Sequence, residues 1–228
     1  MKNIILILAL LSSLASPGRA DTLDIEPIQQ HMPNWCWAAV SEMVFRYYGI
    51  VAINPIDYQC GIVALTYPIC NMNCFICNIS APNIGVLQNV LNNYPRVAHN
   101  LNGGFGANIS VTTNLSPLTR TGVRSEIDAG RPIIAGISPS GFSIGGQPQH
   151  ATLIVGYEGD DSDLQLIVND PFPYDLSQFS AYTNPYISHG ADLVSLGQYR
   201  IAYAVFRDAL LWTQSISQIH CSGHTCPQ

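Results

Sequence analysis

Residues 30–49, QHMPNWCWAAVSEMVFRYYG, constrain this chain more than any other stretch. Ala39, Val40, Met43, Val44 and Tyr47 recur at helical spacing and predict an amphipathic helix. Gly49 follows directly, where helices often end in a left-handed residue. Pro33 and Asn34 are helix-start residues, which puts Cys36 on the first turn. Backbone N–H groups there lack intrahelical partners, and with the positive end of the helix dipole they stabilise a thiolate. Such a thiol becomes a nucleophile near neutral pH once a histidine pairs with it. Trp35 and Trp37 flank it with bulk that can wall a cleft and hold a substrate. Gln30, six residues upstream, is near enough for its amide to join the Cys36 N–H in stabilising an oxyanion.

The cysteine count isolates the same residue. There are seven: Cys36, Cys60, Cys70, Cys74, Cys77, Cys221 and Cys226. Export is expected from residues 1–20, where Lys2 precedes an apolar run and Gly18-Arg19-Ala20 offers small residues for cleavage after Ala20. The run is too short to span a bilayer comfortably, so residues 21–228 are expected as one secreted domain, extracellular or periplasmic. In an oxidising compartment an even set of cysteines suggests bridges, and an odd one suggests a free reactive thiol. Setting Cys36 aside leaves three bridges' worth. Proximity favours Cys221 with Cys226, and the other four among themselves. The Cys74–Cys77 spacing could also form a metal knuckle, and His220, Cys221, His224 and Cys226 a zinc cluster. Bridges account for both more simply, so neither metal nor cofactor is expected.

Without residues 1–20 the chain has seven arginines against fifteen acids, a net charge of −8. With no basic cluster, this balance excludes nucleic acid as a partner class.

Residues 21–29 read as an extended lead-in, with Pro27 barred from a central strand. Residues 50–80 read as a disulfide-stapled loop with short helical turns, and 84–94 as a short helix stopped by Pro95. Residues 99–116 suit a surface loop or hairpin, leaving His99 solvated like His189. Asn78, Asn108 and Asn114 head glycosylation sequons, usable only in a glycosylating host. Thr121 can cap a helix through Ala129, and residues 133–137 form a buried strand. A flexible loop, 138–149, precedes His150, which opens the strand HATLIVGY. Residues 164–170 form the next strand. A hairpin centred near residue 160 puts His150 opposite Asp170, ~5 Å apart at Cβ. A carboxylate there fixes the imidazole tautomer and supports an imidazolium. A shift of one residue would bring in Asn169 instead, from the other face. His31 cannot easily turn onto Cys36 from the same loop. Residues 199–206 read as a strand, and 210–219 as a terminal helix or strand.

Several of these segments together resemble the papain-like cysteine peptidases: Gln30, Cys36-Trp37 with Ala38-Ala39 behind, His150 on a strand leading to Val155-Gly156-Tyr157, and Asp170-Pro171. The likeness covers about residues 25–175. It is strongest to a bacterial branch that includes double-glycine leader peptidases and plant-pathogen effectors, which has Asp before Pro where papain has Asn. His150 follows Cys36 by 114 residues, shorter than the ~130–150 of papain relatives, which suggests a trimmed second lobe. The resemblance implies an α+β, two-lobed papain-like fold, its N-terminal helix packed on a mainly antiparallel sheet. It also implies cleavage of a protein or peptide substrate, with Cys36, His150, Asp170 and Gln30 as catalytic residues. Transglutaminases and toxin deamidases share the Cys-His-Asp order and attack glutamine side chains, a choice that lives in cleft shape. A non-catalytic binding module on the same scaffold is disfavoured while all four residues are intact.

Lys2 is the only lysine. Lysine is among the commonest residues and is the usual attachment point for ubiquitin, whereas arginine keeps the charge without that chemistry. A toxin or effector entering a host cytosol, with or without a delivery subunit, would gain from this. Compositional drift or protection from lysine-directed proteases would produce the same bias.

Overall fold

The computed structural model describes residues 21–71, 73–102, 107–139, 147–174, 184–223 and 226. The expected signal peptide, residues 140–146 of the loop before His150, and His224 lie outside the described residues. Helix α1, Cys36–Tyr47, buries nearly all of its length and ends at Gly49, whose φ of 68° is the left-handed conformation expected there. Helices α2, Tyr58–Thr66, and α3, Ile84–Leu101, pack beside it.

These helices cover one face of an antiparallel sheet. Its strands are β1 (Asp21–Thr22), β2 (Asn108–Asn114), β3 (Ile133–Ile137), β4 (His150–Glu158), β5 (Gln165–Asn169), β6 (Asp192–Ser195), β7 (Gln198–Ala202) and β8 (Gln214–Ser222). The order is β2-β8-β3-β4-β5-β7-β6, and β1 extends the β3 side of β4. The described residues also form helices α4 (Arg120–Asp128), α5 (Pro185–Ser188) and α6 (Tyr203–Asp208), and 3-10 turns at Pro68–Cys70 and Cys74–Ile76. The fold is α+β.

Two hydrophobic cores result. The helical one joins Trp35, Phe45 and Tyr94 to Leu153, Val155 and Ile216 of the sheet. The other joins Val123 and Ile127 of α4 to Ile154, Tyr157, Val168 and Tyr199. Strand β4 feeds both, since successive side chains alternate faces, and this is why its sequence is apolar almost throughout. A bulge between Ile154 and Gly156 shifts the alternation by one residue and delivers Tyr157 to the second core.

Several local expectations are corrected. Helix α3 runs through Pro95 to Leu101, because Tyr94, Pro95, Ala98 and His99 are all buried, and their packing outweighs the hydrogen bond that proline cannot donate. His99 is therefore enclosed, not solvated. The segment read as a surface loop or hairpin contains one strand, β2, whose antiparallel partner is the distant β8. Thr119, not Thr121, caps α4, its Oγ1 accepting the Gly122 N–H at 3.1 Å. The last strands are shorter than expected: β7 gives way to α6 at Tyr203, and β8 starts at Gln214.

The disulfides are Cys60–Cys74, Cys70–Cys77 and Cys221–Cys226, with Cys36 free. The cysteines spaced like a metal knuckle, Cys74 and Cys77, are thus each bonded elsewhere. No helix among the described residues is long and apolar enough to cross a membrane.

Candidate active site

Cys36 opens α1, and the residues around it are tied to one segment. The Asn34 backbone N–H donates to Asn78 Oδ1 at 2.9 Å, and its side-chain amide donates to the Asn78 carbonyl at 3.2 Å. Trp35 Nε1 donates to the Cys77 carbonyl at 2.8 Å, and Trp37 Nε1 to the Ile79 carbonyl at 3.0 Å. Residues 77–79 are in turn anchored by the Cys70–Cys77 bridge. Both indoles are therefore fasteners. Trp35 is wholly enclosed, stacks on Phe75, and is not among the residues lining the cleft, which corrects its expected substrate contact. Trp37 does line it.

His150 is the first residue of β4, and Asp170 follows the last residue of β5. The ladder pairs Leu153 with Asn169, so His150 and Asp170 are not directly opposite as the symmetrical hairpin predicted. Continued by one step, it sets Asp170 across from Thr152, and His150 reaches it diagonally on the same face. His150 Nε2 lies 2.7 Å from Asp170 Oδ1. Asn169 points the other way, donating to the Ile25 carbonyl at 2.7 Å and accepting from Gln198 Nε2 at 2.8 Å. It clamps the lead-in segment to the sheet.

With Nε2 committed to Asp170, Nδ1 is the ring nitrogen left for Cys36, which lies near enough to contribute to the His150 pKa. Burial disfavours the imidazolium, but the Asp170 charge and hydrogen bond, with a smaller contribution from neighbouring Cys36, outweigh it, and the His150 pKa is pushed up to about 10. The Phe172 ring meets His150 edge-on, with centroids 6.3 Å apart.

Asp170 is 1% exposed. Its Oδ1 also accepts the Phe172 N–H at 2.8 Å, and its Oδ2 accepts the Tyr186 hydroxyl at 2.8 Å. Nothing in the sequence singled out Tyr186, which arrives from a four-residue helix with no motif of its own.

Gln30 is enclosed near the same place. Its backbone N–H donates to the Pro171 carbonyl at 2.9 Å, tying it to the residue after Asp170. Its side-chain Nε2 donates to the Met32 and Pro33 carbonyls at 3.0 and 2.7 Å, and Oε1 is buried without a hydrogen-bond partner. In this conformation both amide protons are engaged by the loop. His31 instead pairs with Asp57 at 2.7 Å, and His189 is exposed.

Beside Cys36 and His150 lies an open pocket, walled by Trp37, Ile84, Leu87, Ile134, Ala151 and Ile216. None of the described residues lining it is Asp, Glu, Lys or Arg.

One solved structure similar to this chain comes from work on the limited antibody cross reactivity between the mite allergens Blo t 1 and Der p 1. It has a TM-score of 0.48 and 13% identity, over 92% of this chain and 73% of that one. No curated protein matches the sequence. The model of the Peptidase_C39-like family matches residues 22–191, well over half of the chain. That span holds Cys36, His150 and Asp170 together, and the protein belongs to the Peptidase_C39-like family and is a cysteine protease.

Proposed function

We propose that this protease is secreted and hydrolyses peptide bonds through Cys36, His150 and Asp170. The observation that carries the reading is the half-buried His150 ring, held at Nε2 by Asp170 and lining the same pocket as Cys36, the free cysteine. Cys36 attacks the scissile carbonyl as a thiolate paired with the His150 imidazolium. The tetrahedral oxyanion is met by the Cys36 N–H, a first-turn donor with no intrahelical acceptor. The Gln30 amide contributes by sharing a proton now held by the Met32 or Pro33 carbonyl. His150 then protonates the leaving amine, and water cleaves the thioester. Asp170 keeps the imidazole in one tautomer and balances its charge. Beyond Cys36 and His150, the pocket carries the apolar walls of Ile84, Leu87, Ile134 and Ile216, which favour an apolar side chain beside the bond that is cut.

Secretion is supported by the leader-like residues 1–20 and by three disulfides. A toxin or effector role on a host protein is the further reading that the single lysine suggests. The test is labelling with an epoxide thiol inhibitor, followed by mapping of the modified residue by mass spectrometry. Modification at Cys36, lost in His150→Ala, is expected. Release of ammonia from protein glutamine without new peptide amines would instead point to a deamidase.

A further inference from the structure

We propose that Tyr186 is a positioning residue for this site: by donating its hydroxyl to Asp170 Oδ2, it holds the carboxylate so that Oδ1 is presented to His150. The inference rests on the reading of Cys36, His150 and Asp170 given above. Rotation about the last bond of an aspartate is soft and roughly two-fold, so a carboxylate held through one oxygen is poorly fixed. Here Oδ1 takes His150 Nε2 and the Phe172 N–H, and Tyr186 is the partner of Oδ2 at 2.8 Å. Tyr186 is 0% exposed, and its ring lies on Tyr199 with centroids 4.3 Å apart and planes 7° from parallel.

The helix that carries Tyr186 is itself fixed to the sheet. Asn184 caps α5, its Oδ1 accepting the Tyr186 N–H at 3.0 Å, while its Nδ2 donates to the Tyr199 hydroxyl at 3.0 Å. Tyr199 stands opposite Val168 in the β5–β7 ladder, two residues before Asp170. A rigid path thus runs from the sheet through Tyr199 and Tyr186 to the second oxygen of Asp170. Burial first, and then the charge of Asp170, raise the Tyr186 pKa well above the ordinary phenol value, so the hydroxyl remains a donor. The titratable groups facing Asp170 are His150 on β4, Tyr186 on α5 and Tyr174 just after β5, with Cys36 on α1 beyond the imidazole.

The test uses iodoacetamide as the probe and follows the rate of Cys36 alkylation against pH, which needs no knowledge of the substrate. Tyr186→Phe keeps the stacked ring and removes only the donor. The unpartnered Oδ2 then lets the carboxylate leave His150, so alkylation near neutral pH should fall roughly tenfold to a hundredfold. The lower limb of the profile, where Cys36 ionises against the His150 imidazolium, should move up by about one unit. In an Asp170→Asn background, Tyr186→Phe should change neither quantity by more than about twofold. Tyr199→Phe, which breaks the Asn184 anchor but keeps the stack, should give a smaller shift in the same direction, and decides the matter should Tyr186→Phe not fold. An unchanged profile in folded Tyr186→Phe would leave Tyr186 as packing only. A downward shift would mean that the phenol merely withdraws charge from a carboxylate that stays in place. If His150→Ala leaves the Cys36 profile unaltered, the pairing of Cys36 with His150 fails first, and this proposal with it.

Discussion

Asp170 Oδ1 lies 2.7 Å from His150 Nε2 although the two residues are not opposite each other in the β4–β5 ladder. A diagonal contact of this kind survives because both side chains share a face, and because Asn169, one residue earlier, is turned away into other bonds. Asp170→Ala should therefore cost activity far more than Asn169→Ala. Asn169→Ala should instead lower stability by about 1–3 kcal/mol, since it leaves the Ile25 carbonyl and Gln198 amide without a partner. Turnover and denaturant unfolding on the two variants separate these effects. Greater loss of turnover in Asn169→Ala would reverse the assignment.

Gln30 has two tasks in this structure, bracing the loop before Cys36 and supplying an amide near the site. Gln30→Ala should lower kcat by roughly 10²–10³ with KM little changed, as for loss of one oxyanion donor. Steady-state kinetics on a fluorogenic peptide with an apolar side chain next to the cut bond would show it. Full kcat in this variant would confine Gln30 to its bonds with Met32 and Pro33.

The raised pKa of His150 links stability to pH. An unfolded histidine titrates at 6.5 and this one at about 10, so its contribution is fully present below 6.5 and is lost as pH rises through 10. Thermal unfolding should show Tm of the wild type falling across that window more steeply than Tm of His150→Ala. Parallel curves would remove the imidazolium from the folded state.

The Cys70–Cys77 bridge anchors the segment on which Asn34, Trp35 and Trp37 fasten. Replacing both cysteines by serine should leave the sheet folded but slow Cys36 alkylation and substrate turnover by roughly tenfold or more. Wild-type activity should likewise rise with mild reductant, as Cys36 is kept reduced, and fall at concentrations that open the bridge. Activity that only increases with reductant would show the bridge to be dispensable for the site.

The single lysine is open to test in host cells, and the structure chooses where to put new ones. Arg124 donates to the Gly159 carbonyl and lies over the Tyr157 ring, and Arg120 lies over Tyr203, contacts that lysine would not reproduce. Arg96 is exposed on α3, with its guanidinium on Asn93 of the same helix. Arg96→Lys should shorten the lifetime of the protein in a host cytosol, an effect reversed by proteasome inhibition. An unchanged lifetime would speak against a cytosolic role.

The sequence by itself determined the parts that depend on local pattern. Helical spacing after Cys36 located α1, the unpaired count isolated Cys36 as the free thiol, and the apolar run from His150 located β4. Parity along β5 put Asp170 and Asn169 on opposite faces whatever the register, and the likeness of Asp170-Pro171 to one peptidase branch chose between them. Tertiary structure decided what depends on packing between distant segments. The bulge in β4 shifted the ladder and moved Tyr157 into the second core, which the apolar run alone does not reveal. Helix α3 continues through Pro95 because the buried face beyond it outweighs one missing hydrogen bond. Trp35 turned inward to hold residues 77–79, and Tyr186 reached Asp170 from a helix too short to leave a pattern. A side chain's partner across the chain is set by the shape of the folded core, and no spacing along the sequence encodes it.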